Sequence, residues 1–253
     1  MNVNSDDDRS GSRQRPKSSA HQMRGVNAYW RELSDAEIAS GQHRELVGGM
    51  WQEVGRLQME FLRDQGLAPE HTLLDIGCGA LRGGVHFIEY LRPRQYFGFD
   101  INESLLNAGM KELGERGLHG RAPNLAHNGD FDLAVFGVNA FDYLVAQSVF
   151  THLYMNQIIR CLASAAAVMN SQSRFYATFF EAPSSAYIDP IRHQPGNALT
   201  FFDRDVFHYS FSEMKIMAEA AGLRVDYVGD WGHPRSQKML CFQTPARRMR
   251  APA

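Results

Sequence analysis

Residues 73–84 read Leu-Leu-Asp-Ile-Gly-Cys-Gly-Ala-Leu-Arg-Gly-Gly. A short apolar run ends at an acid and then breaks into glycines. The run has the make-up of a buried strand, and the glycines that of a loop whose backbone approaches a ligand closely. Residues 85–91 follow with helical spacing. The loop and the helix N-terminus would therefore aim backbone N–H groups at something polar or anionic. A strand, a glycine loop and a helix at the head of an alternating pattern mark the place where open α/β sheets hold nucleotide-like cofactors.

The alternation continues downstream. Strands are predicted at about 72–76, 95–100, 122–127, 142–147, 173–181, 224–229 and 238–243, and helices at about 84–91, 103–115, 152–167 and 211–222. Strands that alternate with helices imply parallel βαβ units. The last two strands have no helix between them. They are joined by Trp231-Gly232-His233-Pro234-Arg235 and read as an antiparallel hairpin.

Two cofactor readings compete for the glycine loop. The dinucleotide fingerprint requires G-x-G-x-x-G. Gly77 and Gly79 fit it, but Arg82 occupies the third position and Gly83 comes one residue late. Tyr96-Phe97-Gly98-Phe99-Asp100-Ile101 reads as a second strand ending in an acid, placed to accept from a ribose diol. That acid suits either cofactor. Asp75-Ile76-Gly77-Cys78-Gly79 closely resembles the first motif of the class I S-adenosylmethionine (SAM) methyltransferases. Residues 141–153, Phe-Asp-Tyr-Leu-Val-Ala-Gln-Ser-Val-Phe-Thr-His-Leu, resemble the fourth-strand segment of their small-molecule members, and Asn128-Gly129-Asp130-Phe131 stands where that family contacts adenine. The resemblance covers about 70–155.

It implies a Rossmann-like three-layer αβα sandwich, with a mostly parallel seven-stranded sheet and a C-terminal antiparallel β-hairpin. A dehydrogenase would instead continue into a second βαβ half. It also implies a methyl transfer from SAM to a small-molecule acceptor of metabolite, saccharide or lipid type, leaving S-adenosylhomocysteine (SAH). Gly77 and Gly79, with Cys78 between them, would pass against the methionine and ribose. Asp75 would hold the amino group, directly or through water. Asp100 would bind the ribose hydroxyls, and Ile101 would pack on adenine. Asp130 would accept from the adenine amino group beside Phe131. Gln147 and Ser148 would face the methionine and the transferred methyl. Arg82 departs from the commoner small or polar residue, and would pair with the ligand carboxylate or with an acid nearby. His152 is the sharpest candidate for a base, with a capping role as the competing account. Glu181, His193, His208 and Arg235 are weaker candidates. A non-catalytic SAM-binding module and a nicotinamide-dependent oxidoreductase stay open as alternatives.

The rest of the chain bounds the partners. Its 253 residues are 44% hydrophobic and 21% charged, enough for one α/β domain with a sizeable core. A net charge of −2 gives no basic field for a nucleic-acid backbone. Cys78, Cys161 and Cys241 lack metal-ligand spacing. No apolar run reaches membrane-spanning length and the start lacks a signal-peptide core, so the cytoplasm is the expected location. Residues 1–24 are polar and are expected to form a flexible arm. Residues 25–70 are expected to supply N-terminal helices, among them one long helix from about 44 to 65 carrying Leu46, Met50, Val54, Leu57 and Phe61 on one face, either as ordinary core packing or, as the resemblance implies, as a lid on the cofactor. The methyltransferase domain is expected at 71–245. Residues 181–205 read as a long loop covering the substrate.

Overall fold

In the computed structural model, the apolar run at the glycine loop forms β1 (Leu73–Ile76), buried along its whole length. The model describes residues 28–245, so the expected arm at 1–24 lies outside them. Among the described residues, a 3-10 turn (Ala28–Trp30) and three α-helices precede β1: α1 (Asp35–Ala39), α2 (Gln42–Leu46) and α3 (Trp51–Asp64). After it come α4 (Gly84–Tyr90), β2 (Tyr96–Asp100), α5 (Glu103–Glu115), β3 (Asn124–His127), β4 (Tyr143–Ala146), α6 (Met155–Ala167) and β5 (Arg174–Phe179). A small hairpin, β6 (Ile191–His193) and β7 (Ala198–Thr200), leads to α7 (Phe211–Ala220), β8 (Arg224–Gly229) and β9 (Lys238–Gln243).

Seven strands form one sheet in the order β3-β2-β1-β4-β5-β9-β8. All pairs from β3 to β5 are parallel, and β9 runs antiparallel between β5 and β8. This is a Rossmann-like αβα sandwich closed by a C-terminal antiparallel hairpin. Alternation along the strands assigns the layers. Leu74, Ile76, Phe97, Phe99, Leu144 and Ala146 point to the face covered by α6 and α7. Leu73, Tyr96, Tyr143 and Val145 point to the face covered by α3, α4 and α5. Side chains buried on both faces explain why these strands read as continuous apolar runs. Local chemistry sets the helix starts. Asn102 accepts from the Leu105 N–H at the head of α5, and Ser210 with Glu213 forms a capping box on α7.

Two expectations need correction. The long helix at 44–65 is broken. Gly48 and Gly49 take φ of 95° and 62°, and Met50 takes 47°, between α2 and α3. The apolar spacing crosses the break, but side chains from distant parts of the fold hold the freed carbonyls. Arg82 donates to Val47 O and Gly49 O, both at 3.0 Å, and Arg235 donates to Gly48 O at 2.8 Å. The stretch 181–205 is also not all loop, since it holds the β6–β7 hairpin. His193, Thr200 and His208 join in a hydrogen-bonded chain beneath it, at 2.9 and 2.8 Å.

The segment before β1 is fastened to α5. Asn102 donates to Tyr29 O and Arg31 O at 2.7 and 2.9 Å, and Ser104 accepts from the Leu33 N–H at 2.9 Å. Trp51 packs into a small core with Leu33, Ile38 and Leu105. Glu112, 1% exposed, accepts from His43 at 2.7 Å and from Arg44 at 2.8 and 3.0 Å. Burial works to raise the Glu112 carboxyl, but the bonds from Arg44 and His43 outweigh it and hold it below the usual range. Its contribution is therefore complete at neutral pH and is lost as pH falls through the depressed value. Arg44 keeps contact with water, which puts the loss below that of a fully buried pair. Glu112→Gln is expected to destabilise the fold by about 2–3 kcal/mol, roughly 4–12 °C in thermal unfolding followed by circular dichroism. A shift under about 1 °C would show that this network does not anchor the segment.

Candidate active site

In the sheet order, the chain turns back between β1 and β4. Strands at such a reversal leave a crevice at their carboxyl ends. A cleft opens there, and every residue expected at the cofactor site except Asp130 lines it. Asp75 comes from β1, Gly77, Cys78, Gly79 and Arg82 from the following loop, and Asp100 and Ile101 from the end of β2. Asn128, Gly129 and Phe131 form the wall after β3. Gln147 and Ser148 follow β4, and His152 sits on a 3-10 turn, Phe150–His152, ahead of α6. Asp130 stands outside this lining, and its carboxylate accepts from the Asp132 N–H at 3.3 Å.

The loop depends on glycine at position 77. Gly77 has φ of 68°, and a Cβ there would meet Val149 at 2.7 Å. Cys78 donates its N–H to Phe99 O at 3.0 Å, which stitches the loop to β2. Burial above all, and then the charges of Asp75 and Asp100, push the Cys78 thiol well above its usual range. It is a protonated, inert side chain at neutral pH.

Asp100 is buried and accepts from the Gly79 N–H and the Asn102 N–H, both at 2.8 Å, one to each oxygen. Burial raises its pKa against those backbone bonds. Each oxygen keeps a second lone pair, so the carboxylate can accept two further bonds from a diol at the cleft. Asp75 accepts from the Tyr96 hydroxyl at 2.7 Å. Burial pushes it up to about 7, opposed by the Tyr96 bond and helped by the Asp100 charge. Gln147 donates to Ser148 Oγ at 2.7 Å and leaves its own Oε1 buried without a partner among the described residues. The Nε of Arg82 is likewise a buried donor without a partner. Ser148 has φ of 59°, and its hydroxyl is held by Gln147 and Gln237.

The structure also shows residues that the motifs did not reveal. His152 Nδ1 lies 2.5 Å from Asp205 Oδ1. The Tyr29 ring meets the His152 ring edge-on at 4.8 Å between centroids. A second cavity, of about 310 Å³, adjoins the cleft and shares Tyr29, Val47, Arg82, Ser148 and His152 with it. His233, Arg235 and Gln237 line this second cavity only. Of the weaker candidates, Glu181 is bound to Tyr227 at 2.5 Å, and His193 and His208 belong to the chain under the hairpin.

Residues 74–175 match the family model described as a methyltransferase domain. Similar solved structures include magnesium protoporphyrin IX methyltransferase (ChlM) from Synechocystis PCC 6803 with bound SAH. That likeness has a TM-score of 0.57 and 14% identity, covering 83% of this chain and 97% of that one. A SAM-dependent methyltransferase from Clostridium acetobutylicum ATCC 824 aligns with a TM-score of 0.61 and 10% identity, over 84% of this chain and 100% of that one. DesVI from Streptomyces venezuelae aligns with a TM-score of 0.56 and 19% identity, over 85% of this chain and 100% of that one. At such identities the structural likeness is one of fold. The matched residues run from β1 to the start of β5, and the cleft lies at the carboxyl ends of the strands within them. These solved structures share with this chain the order of its sheet and the hairpin that closes it, as a likeness of fold.

Proposed function

We propose that this enzyme methylates a small-molecule acceptor, of metabolite, saccharide or lipid type, held in the second cavity against His152. The observation that carries the reading is the shared wall: the cofactor cleft and a cavity of small-molecule size meet at Arg82, Ser148 and His152.

The residues present fit SAM. Asp100 has lone pairs to spare for the ribose hydroxyls, Ile101 and Phe131 offer apolar surface to adenine, and Gly77 and Gly79 give the backbone close approach. The buried Gln147 Oε1 and the Asp75 carboxylate suit a cationic amino acid end, and Arg82 Nε suits its carboxylate. Asp130 lies one residue from the wall at Gly129 and Phe131, close enough for its segment to serve adenine. When bound, SAM supplies a methyl group on a sulfonium, open to in-line attack. The chain's own work is positioning, which can account for several kcal/mol of the barrier, and removal of a proton from the acceptor. His152 takes that proton on Nε2, while Asp205 holds Nδ1 and so fixes the ring's orientation. Tyr29 closes the space over the imidazole. Ser148, gripped by Gln147 and Gln237, keeps the end of β4 in register with the reacting centre.

The test is transfer of a labelled methyl from SAM into a fractionated bacterial metabolite extract, alongside calorimetric titration with SAM, SAH and NAD. Binding of SAM and SAH with label in a small-molecule fraction is expected. Binding without any transfer would point to a non-catalytic module, and preference for NAD would overturn the reading.

Asp75 gives the binding a pH signature. A raised carboxyl stabilises the ligand-free fold in its neutral form, fully below 3.8, and that contribution is lost as pH rises through about 7. A cationic ligand needs the ionised form. SAM binding at pH 6 is therefore expected to release close to one proton, seen as a dependence of calorimetric heat on buffer ionisation enthalpy. Affinity should fall about tenfold per pH unit below 7. Asp75→Asn should abolish the release at pH 6. An unchanged release in that variant would place the titrating group elsewhere.

A further inference from the structure

The second cavity holds two guanidiniums that no acid among the described residues pairs with directly. Arg82 and Arg235 approach the broken helix from two sides. Their Nη1 atoms lie 3.8 and 3.0 Å from the position a Cβ on Gly48 would take. Both donate to main-chain carbonyls of residues 47–49, which uses only part of each guanidinium fork. Neither forms an ion pair with an acid among the described residues, and the cavity lining contains no Asp or Glu. Asp205, the acid nearest His152, is engaged by the imidazole.

The neighbouring groups match this picture. Burial, followed by the charges of Arg82 and Arg235, drives His233 down to about 3, so it is neutral. Its Nδ1 accepts from the Arg235 N–H at 3.1 Å, and its Nε2 lies 3.4 Å from Gln147 Nε2. Arg82 itself is lowered to about 10, by burial first and also by Arg235, against opposing contributions from Tyr29 and Asp75, and remains charged at neutral pH. Like charges held together and part-buried are costly unless an anion completes them. The cofactor's own carboxylate can reach Arg82 at the shared wall. Arg235 lines only the second cavity and stays uncompensated. Met50, Val54, Phe180 and Leu199 give that cavity an apolar side, while Ser148, Thr151, His152 and Gln237 add polar groups to its lining.

We infer that the acceptor is an organic anion: a carboxylate or phosphate group docks on Arg235, with His233 beside it, and an apolar body lies on Met50 and Phe180. A planar anionic group accepts two parallel bonds from an arginine fork. Docking at that end fixes which part of the acceptor faces His152. This inference rests on the methyltransferase reading and names the substrate class for it.

The experiment uses full-length protein saturated with SAH, at constant ionic strength. Benzoate, phenyl phosphate and benzamide are titrated by saturation-transfer NMR. One or both anions should bind at least about tenfold more tightly than the isosteric neutral amide, and the stronger of the two identifies the anionic group. Arg235→Gln should remove that preference, and Arg235→Lys should restore most of it, with SAH affinity within about twofold throughout. Equal binding of all three probes, no anion binding, or a preference that survives Arg235→Gln would overturn the inference while leaving the methyltransferase reading intact. Failure of SAH to bind the wild-type protein would instead overturn that earlier reading.

Discussion

Asp100→Asn is expected to weaken SAH binding by about a hundredfold or more, with the protein still folded. The carboxylate sits at the end of β2, buried, with each oxygen already accepting one backbone N–H at 2.8 Å. Those bonds aim the remaining lone pairs at the cleft. Two hydrogen bonds from a diol to an ionised acceptor are worth about 1.5–3 kcal/mol each, which corresponds to a hundredfold or more in Kd. Asparagine keeps the size but turns one oxygen into a donor. That donor then faces the N–H of Gly79 or of Asn102, so the glycine loop loses a fastening as well. Some loss of stability accompanies the change, about 1–3 kcal/mol for the orphaned N–H. Circular dichroism and calorimetry on the same sample separate the two effects. If the Kd for SAH changes by less than about threefold, Asp100 does not hold the ribose and the cofactor has been placed wrongly in the cleft.

The second large effect is at His152. His152→Ala is expected to lower methyl transfer by roughly 10²- to 10³-fold, in the range for loss of a positioned general base, while SAH affinity stays within about twofold. The imidazole lies on the wall shared by the two cavities, and its Nδ1 is committed to Asp205 at 2.5 Å. Nε2 is then the nitrogen left for the acceptor. Asp205→Asn preserves the shape but replaces the carboxylate that holds Nδ1 with an amide. It should cost about tenfold or more in turnover, with SAH affinity within about twofold. Labelled methyl incorporation from pH 6 to 9 checks both variants. A His152→Ala enzyme with full turnover across that range would reduce the residue to packing against Tyr29, and Asp205 with it.

Much of the lining of the cleft was legible in the chain because its signals are local. An acid and glycines at the end of an apolar strand, a second acid at the end of the next strand and a polar pair after the fourth each occupy a few consecutive residues. The rule that parallel strands present their carboxyl ends to one crevice gathers them without further information. The hairpin at 224–243 was equally plain, since no helical stretch separates its strands. Asp130 marks the edge of this method: the segment reaches the wall through Asn128, Gly129 and Phe131 rather than through the acid.

The sequence by itself determined the sheet, its layers and a glycine loop at its centre, because strand alternation and glycine conformations are properties of neighbours along the chain. Only the tertiary structure decided what closes and charges the site. The break at Gly48 and Gly49 interrupts an apolar pattern that runs straight through it, and guanidiniums from two distant loops hold it open. His152 meets Asp205 across 53 residues, and Arg235 meets Gly48 across 187. Pairings at such separations leave no period or spacing in a single sequence. They follow from where the folded sheet happens to bring its loops, and there the second cavity takes its charge and shape.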